Sequence, residues 1–292
     1  LVEKYDEIII GHYDRVAKEY GISSASTMSD ETVRRRETEI IFSFVERMGR
    51  LSREGSALKG GCPERFNGDK VVRIIDVGCG NGYTLKALAE RFSAYSYTGV
   101  EYNDAMRSLA EKQIAGLPHV EVKGGDIRRR ESLDIPNGLA DIVICQRVLI
   151  NILSADDSRC ALDNVVSLVR AGGFLLFFEC FSSALENLNS ARAEFGLDAI
   201  GPAHHNRYLE DDFFVRPELL PCDGVDDIAE RHVFSTHFFV TRVLHAAMQK
   251  YAGDVEFKRN SHFVQFLTKA LPEAVGSYAP LQCLAYVKKP PA

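Results

Sequence analysis

The chain from residue 71 to residue 180 predicts an α/β protein built on a mostly parallel sheet flanked by helices. Three observations carry that prediction. Short apolar runs alternate with longer amphipathic stretches, as in βαβ units. Runs such as FLLFF, 174–178, are apolar on both faces, which suits strands covered by helices on each side. The first run ends in a glycine-rich turn, 78–82, that opens a helix.

Taken in order, VVRIIDV (71–77) is the first strand and TLKALAERF (84–92) its helix. YSYTGVEY (95–102) is the second strand, followed by the helix AMRSLAEKQIAGL (105–117). HVEVKGGD (119–126) gives a third strand and turn, and ADIVICQ (140–146) a fourth. The helix DSRCALDNVVSLV (157–169) leads to GGFLLFFEC (172–180) as the fifth. Ahead of this region, residues 1–70 read as helical: Val33, Ile40, Ile41, Phe44, Val45 and Met48 recur at helical spacing, with Ser29 or Asp30 as N-cap. The polar, Gly-rich stretch 52–70 reads as a loop.

After Cys180 the alternation stops. Residues 181–226 hold polar and aromatic clusters too long for an ordinary connection. AERHVFSTHFFVTRVL (229–244) reads as a strand running into a helix, HFVQFLTKAL (262–271) as a helix, and LQCLAYVKK (281–289) as a last strand returning to the sheet. That makes seven strands. The expected organisation is an N-terminal helical extension over 1–70, a candidate lid; a core over 71–180; and a substrate-recognition insertion with sheet-completing strands over 181–292.

Composition narrows the class. With 46% hydrophobic and 26% charged residues among 292, the chain is an ordinary globular protein, and no apolar run approaches a membrane span. Its net charge of −6 disfavours nucleic acid, because phosphate binding calls for a basic face. The basic runs 34–36 and 128–130 are flanked by acids and read as solvated faces. Seven cysteines lack metal-ligand spacing, and the N-terminus lacks a secretory profile. A reduced, cytoplasmic protein with no structural metal is expected, and a homodimer is compatible with the sequence.

Three strand ends carry the chemistry. In Asp76-Val77-Gly78-Cys79-Gly80-Asn81-Gly82 the glycines stand at i, i+2 and i+4. The dinucleotide pattern needs its third glycine at i+5, where this chain has Tyr83. The turn therefore lets a ligand approach the backbone, while Asp76 repels pyrophosphate and suits an ammonium. Glu101 ends the second strand and can accept from a ribose diol; Asp126 with Ile127 offers an acceptor and an apolar face to an adenine.

IDVGCGNG, VEYN and GGDI resemble, in order and spacing, the three cofactor motifs of class I S-adenosylmethionine-dependent methyltransferases. The resemblance covers residues 71–180 and implies a Rossmann-like seven-stranded sheet with S-adenosylmethionine as cofactor. It implies that Asp76 and the turn Gly78, Cys79, Gly80 and Gly82 hold the methionine part. Glu101 would hold the ribose, Asp126 and Ile127 the adenine with Tyr102 beside it, and Gln146 would face the sulfonium. ICQRVLIN (144–151) lacks the Pro-Pro-Tyr-type motif of enzymes that methylate amino groups in nucleic acids and glutamine. No cysteine suggests a 5-methylcytosine nucleophile, and the paired-glutamate loop of arginine methyltransferases is missing. Gln146 stands where catechol-type enzymes place a metal-binding Asp, so no metal is expected.

Methyl transfer is an in-line displacement that chiefly needs its partners aligned, with a base only where the nucleophile must lose a proton. His205 is the preferred candidate base, with Glu179 and Tyr208 as further catalytic candidates. Arg147, Arg192 and Arg207 could each bind an anion. Tyr5, His12, Tyr13 and Tyr20 form an aromatic stripe, read as helix packing or as a lid. HNRYLEDDFF, FSTHFFVTRV and GSYAPLQCLAYVKK are similar to stretches of bacterial methyltransferases of surface-polysaccharide or natural-product pathways. That similarity implies O-methylation of a sugar-containing or other small acceptor. N-methylation, an RNA or protein acceptor, and a non-catalytic cofactor-binding module are the alternatives.

Overall fold

The computed structural model describes residues 2–54, 71–222, 230–253 and 260–290. Seven strands form one sheet: β1 (Arg73–Val77), β2 (Ser96–Glu101), β3 (Val120–Gly124), β4 (Ala140–Gln146), β5 (Val169–Cys180), β6 (Leu219–Pro221) and β7 (Leu281–Lys288). Their order is β3-β2-β1-β4-β5-β7-β6. The first five pair in parallel, and β7 enters antiparallel between β5 and β6. The strand order reverses between β1 and β4. Ligands of open parallel sheets bind at such a point, outside the carboxyl ends of the strands.

Two long helices precede the sheet, α1 (Val2–Tyr20) and α2 (Glu31–Glu54). Asp30 caps α2 by accepting from the Val33 amide at 3.2 Å. The apolar stripe Ile40, Ile41, Phe44, Val45 and Met48 is fully buried, and α2 packs on β4 and β5. Crossovers α3 (Tyr83–Arg91), α4 (Asp104–Ile114) and α5 (Ala155–Leu168) flank the parallel strands. Every residue of Phe174–Phe178 is buried, as the apolar run predicts.

Beyond β5 come α6 (Ser182–Glu194), α7 (Ser235–Phe239), a π-helical turn over Val240–Leu244, α8 (His245–Ala252) and α9 (His262–Ala270). One expectation is corrected here. Residues 230–244 hold a turn and helix, not a strand; the sixth strand is the three-residue Leu219–Pro221 within the supposed irregular segment. The buried positions Val233, Phe234, His237, Val240 and Thr241 recur at three- and four-residue intervals, which is helical spacing. The β-branched and aromatic composition suggested a strand, but packing of one helical face decides the outcome. Helix α2 also runs through Glu54, past the expected start of the loop, whose remainder lies outside the described residues. Among the described residues no helix is long and apolar enough to cross a membrane.

Candidate active site

The carboxyl ends of β1, β2 and β4 open into one cleft. At its floor, Gly78 and Cys79 donate backbone N–H groups to the Val100 carbonyl at 2.8 and 3.0 Å, tying the glycine turn to β2. Gly78 and Gly80 have φ of +66° and +57°, conformations that favour glycine. A Cβ at Gly78 would meet Val148 Cγ2 at 2.3 Å, and one at Gly80 would meet Thr27 Cγ2 at 2.8 Å. Both positions therefore keep the cleft backbone bare.

Glu101 is buried at the cleft wall. Its carboxylate accepts from the Gly80 and Asn103 amides, both at 2.8 Å, and the Tyr102 amide also favours its charged form. Burial raises its pKa, and those amides pull the other way. Tyr102, Asp126 and Ile127 line the same wall. Asp126 is engaged by Arg128 in a two-pronged pair, at 2.9 Å to Oδ1 and 2.8 Å to Oδ2. Arg128 also reaches Asp6 of α1 at 2.8 Å and lies over the Tyr102 ring.

Asp76 and Gly82 lie below the cleft surface. Gly82 starts α3 at φ +82°, and a Cβ there would strike the Ala110 backbone of α4 at 2.9 Å, so its role is close packing. Asp76 is fully buried, and neither carboxylate oxygen has a hydrogen-bond partner among the described residues. Burial pushes its carboxyl up to about 7, against the pull of Arg34.

At the opposite end, Gln146 donates to Thr84 Oγ1 at 3.0 Å, while its Oε1 is buried without a partner. Arg147 follows at φ +56°, a left-handed conformation rarely taken by a side-chain-bearing residue. Its guanidinium pairs with the buried Glu37 of α2, which also pairs with Arg34 at 3.8 Å. Arg34 bonds Thr27 and lies over the Tyr83 ring. Burial, and then the like charge of Arg147, lower its pKa to about 10.

Helix α1 roofs the cleft. Ile9 and Tyr13 line it, Tyr13 Oη accepts from Asn151 at 2.7 Å, and Asp14 accepts from Asn103 at 2.8 Å. Burial, then the Glu101 charge, push the Tyr13 phenol up to about 12. Of the aromatic stripe, Tyr13 faces the cleft and Tyr20 is exposed; the Tyr5 side chain lies outside the described residues.

None of the three candidate catalytic residues lines the cleft. Glu179 is buried and accepts from the amides of Val148, Leu149 and Ile150 at 2.9, 3.0 and 3.2 Å. It pins the loop after β4, and burial raises its carboxyl to about 7. Tyr208 packs on the core with its hydroxyl toward the Cys180 thiol. His205 stacks on His12 of α1, centroids 3.8 Å apart, and burial with the neighbouring imidazoles depresses it to about 4. Sequence proximity to β5 suggested catalysis for these residues, but packing turns them to the loop, the core and the α1 seam. Arg192 and Arg207 are likewise engaged, with the Asp198 and Arg242 carbonyls and with Ser158. The basic runs are corrected as well: Arg34 and Arg128 are not solvated but line the cleft. Arg34 stood out in the sequence only as part of a basic run on its helix.

A switch-point cleft with a bare glycine turn and a strand-end carboxylate defines a Rossmann-like nucleoside-binding core. Residues 74–173 match the family model described as methyltransferase domain. This region is a class I S-adenosylmethionine-dependent methyltransferase domain, with S-adenosylmethionine its cofactor. Trans-aconitate 2-methyltransferases of Acidovorax sp. and Acidovorax ebreus are each 38% identical over 53 residues, 18% of this chain. The match spans only 20% of the length of these curated relatives. In fold, the chain is similar to a candidate sarcosine dimethylglycine methyltransferase of Galdieria sulphuraria. The TM-score is 0.50 and the identity 14%, over 89% of this chain and 88% of that one.

Proposed function

We propose that the protein transfers a methyl group from S-adenosylmethionine to a small-molecule or glycan acceptor, at oxygen, by in-line displacement without a metal. The observation that carries this reading is the buried Asp76 carboxylate with both oxygens unpaired, under a glycine turn whose backbone must stay bare. An unpaired buried carboxylate is costly, and a ligand ammonium above it removes that cost. Glu101 stands at the cleft wall as the strand-end carboxylate for a ribose diol, and Ile127 and Tyr102 offer faces to a purine.

When bound, the cofactor supplies an electrophilic methyl carbon on positively charged sulfur. Arg34 is placed to hold a carboxylate at the methionine end, and Asp76 to answer the ammonium. Asp126, held by the guanidinium and the backbone amide of Arg128, borders the adenine end. Gln146 and Arg147 border the acceptor, and Glu179 is a positioning residue that fixes the backbone carrying them. Helix α1 acts as a lid that excludes water, and β7 and β6 complete the sheet.

Calorimetry with S-adenosylhomocysteine and with NAD tests the reading. Micromolar or tighter binding of the nucleoside sulfide is expected, weakened about tenfold or more by Glu101→Ala, as loss of charged hydrogen bonds predicts. Binding of NAD in preference to the sulfide would end it.

A further inference from the structure

The cleft sets a guanidinium at the end of β4 and offers a nucleophile little base. Arg34 and Arg147 both border it, and both lean on one buried carboxylate, Glu37. With Arg34 given to the carboxylate at the methionine end, Arg147 is the guanidinium placed for a second ligand. Arg147 gives one N–H to Glu37 and another to the Thr27 carbonyl at 3.5 Å, so most of its five donors remain. Its left-handed backbone is strained, and the Arg147 amide donating to the Phe178 carbonyl at 2.7 Å holds it. The fold thus aims a guanidinium at the end of β4, beside Gln146.

Proton acceptors are committed elsewhere. No histidine lines the cleft among the described residues. Glu101 is bonded to two amides, and Asp126 is clasped by Arg128. The Cys79 thiol and the Tyr13 and Tyr102 phenols are pushed above their ordinary ranges by burial, so they stay protonated. A hydroxyl nucleophile would need a base that this lining lacks, and an ammonium would be repelled by Arg147.

We propose that the acceptor is a small carboxylic acid held by Arg147, and that the nucleophile is the carboxylate oxygen turned away from the guanidinium. This rests on the methyl-transfer reading above. A lone pair of that oxygen forms the new O–C bond as the C–S bond breaks. The electron pair of the broken bond passes to sulfur, which becomes a neutral thioether. The product is a methyl ester, and no proton has to leave.

The test runs in two stages on the purified chain. Calorimetry with S-adenosylhomocysteine comes first; absence of binding defeats the methyl-transfer reading and this proposal with it. Protein saturated with the nucleoside sulfide is then titrated with citrate, succinate and benzoate, each against its amide. In parallel, methyl-labelled cofactor is offered with acids, alcohols and amines, and the product is treated with mild alkali. The expected results are acid-selective binding and a label released as volatile methanol, the signature of an ester. Arg147→Gln should raise the acid's KM about 10- to 100-fold, leave sulfide binding within about twofold, and be partly rescued by Arg147→Lys. Because the first variant removes one of the two arginines paired with Glu37, Arg147→Gln with Glu37→Gln is assayed beside it, and the same KM rise is expected. Sulfide binding with an alkali-stable product, amide-selective binding, or an unchanged KM in both Gln variants overturns the carboxylate proposal alone.

Discussion

Asp76 shows what a single buried group contributes and when. Its carboxyl titrates at about 7 in the folded chain because burial penalises the charge, against about 4 in an unfolded one. The folded state therefore holds that proton more tightly. The associated stability is fully present below about pH 4 and is lost as pH rises through about 7. Glu179, raised to about 7 by burial, adds a slope of the same sign. Thermal unfolding of the free protein should show a midpoint that falls between pH 5 and pH 8, with a shallower fall in Asp76→Asn. S-adenosylhomocysteine should restore the wild-type midpoint most at the upper end, where the carboxylate is charged and can face an ammonium. An Asp76→Asn profile parallel to wild type would remove the carboxylate from this account. At this scale the meeting of the glycine turn with the strand-end acid at one cleft was legible: both are local in sequence, and the parallel sheet places strand ends together. The acceptor end was not. His205, Glu179 and Tyr208 follow or close β5, yet their surroundings are set by α1, the loop after β4 and the Cys180 side of the core. Arg34 sits in a basic run whose sequence does not tell the buried arginine from its solvated neighbours.

Among the elements, α1 joins the sheet's ligand edge through side chains rather than through a core of its own. Ile9 is buried while Ile10 and Tyr20 are exposed, so the helix rests on the molecule as a surface element. Its holds are Asp6 to Arg128, Asp14 to Asn103 and Tyr13 to Asn151, and each of those partners borders the cleft. Such contacts contribute about 1 kcal/mol apiece in water-exposed settings, enough to close a helix and also to let it open. Deleting residues 2–20 should speed dissociation of S-adenosylhomocysteine about tenfold or more, the loss of some two such contacts, while the sheet's unfolding transition survives. Stopped-flow displacement measures the rate, and an unchanged rate would show that α1 is packing and not a lid. Helical periodicity disclosed α2 in the sequence, because a one-sided apolar stripe is a strong signal. The three-residue β6 left no such trace: Leu219–Pro221 is too short for alternation, and it is a strand only because β7 offers it an edge.

The whole molecule is closed by that late strand. β5 pairs with β4 on one side and β7 on the other, with seven registered residue pairs from Phe174–Val287 to Cys180–Leu281. Without β7, β5 becomes an open edge carrying Phe174, Phe177 and Phe178, and β6 loses the only strand it pairs with among the described residues. Leu281, Cys283 and Leu284 are buried in the same core, and the Phe181 amide donates to the Pro280 carbonyl at 3.0 Å just before the strand begins. Uncovering several large apolar side chains costs about 1.5–3 kcal/mol each, and a domain's net stability is only about 5–15 kcal/mol. The parallel core over 71–180 is thus a contiguous stretch of sequence but not a self-sufficient fold; its last strand is sealed by a segment about a hundred residues later. Such long-range pairing makes assembly slow and leaves the β5 edge exposed until β7 arrives. A chain ending at residue 280 should therefore aggregate or bind a hydrophobic dye, with no cooperative unfolding transition by circular dichroism. Adding residues 281–292 back as a separate peptide during refolding should recover part of that transition. A soluble, cooperatively folded chain without β7 would show instead that the five parallel strands stand alone, and that the antiparallel addition serves the acceptor side rather than the fold.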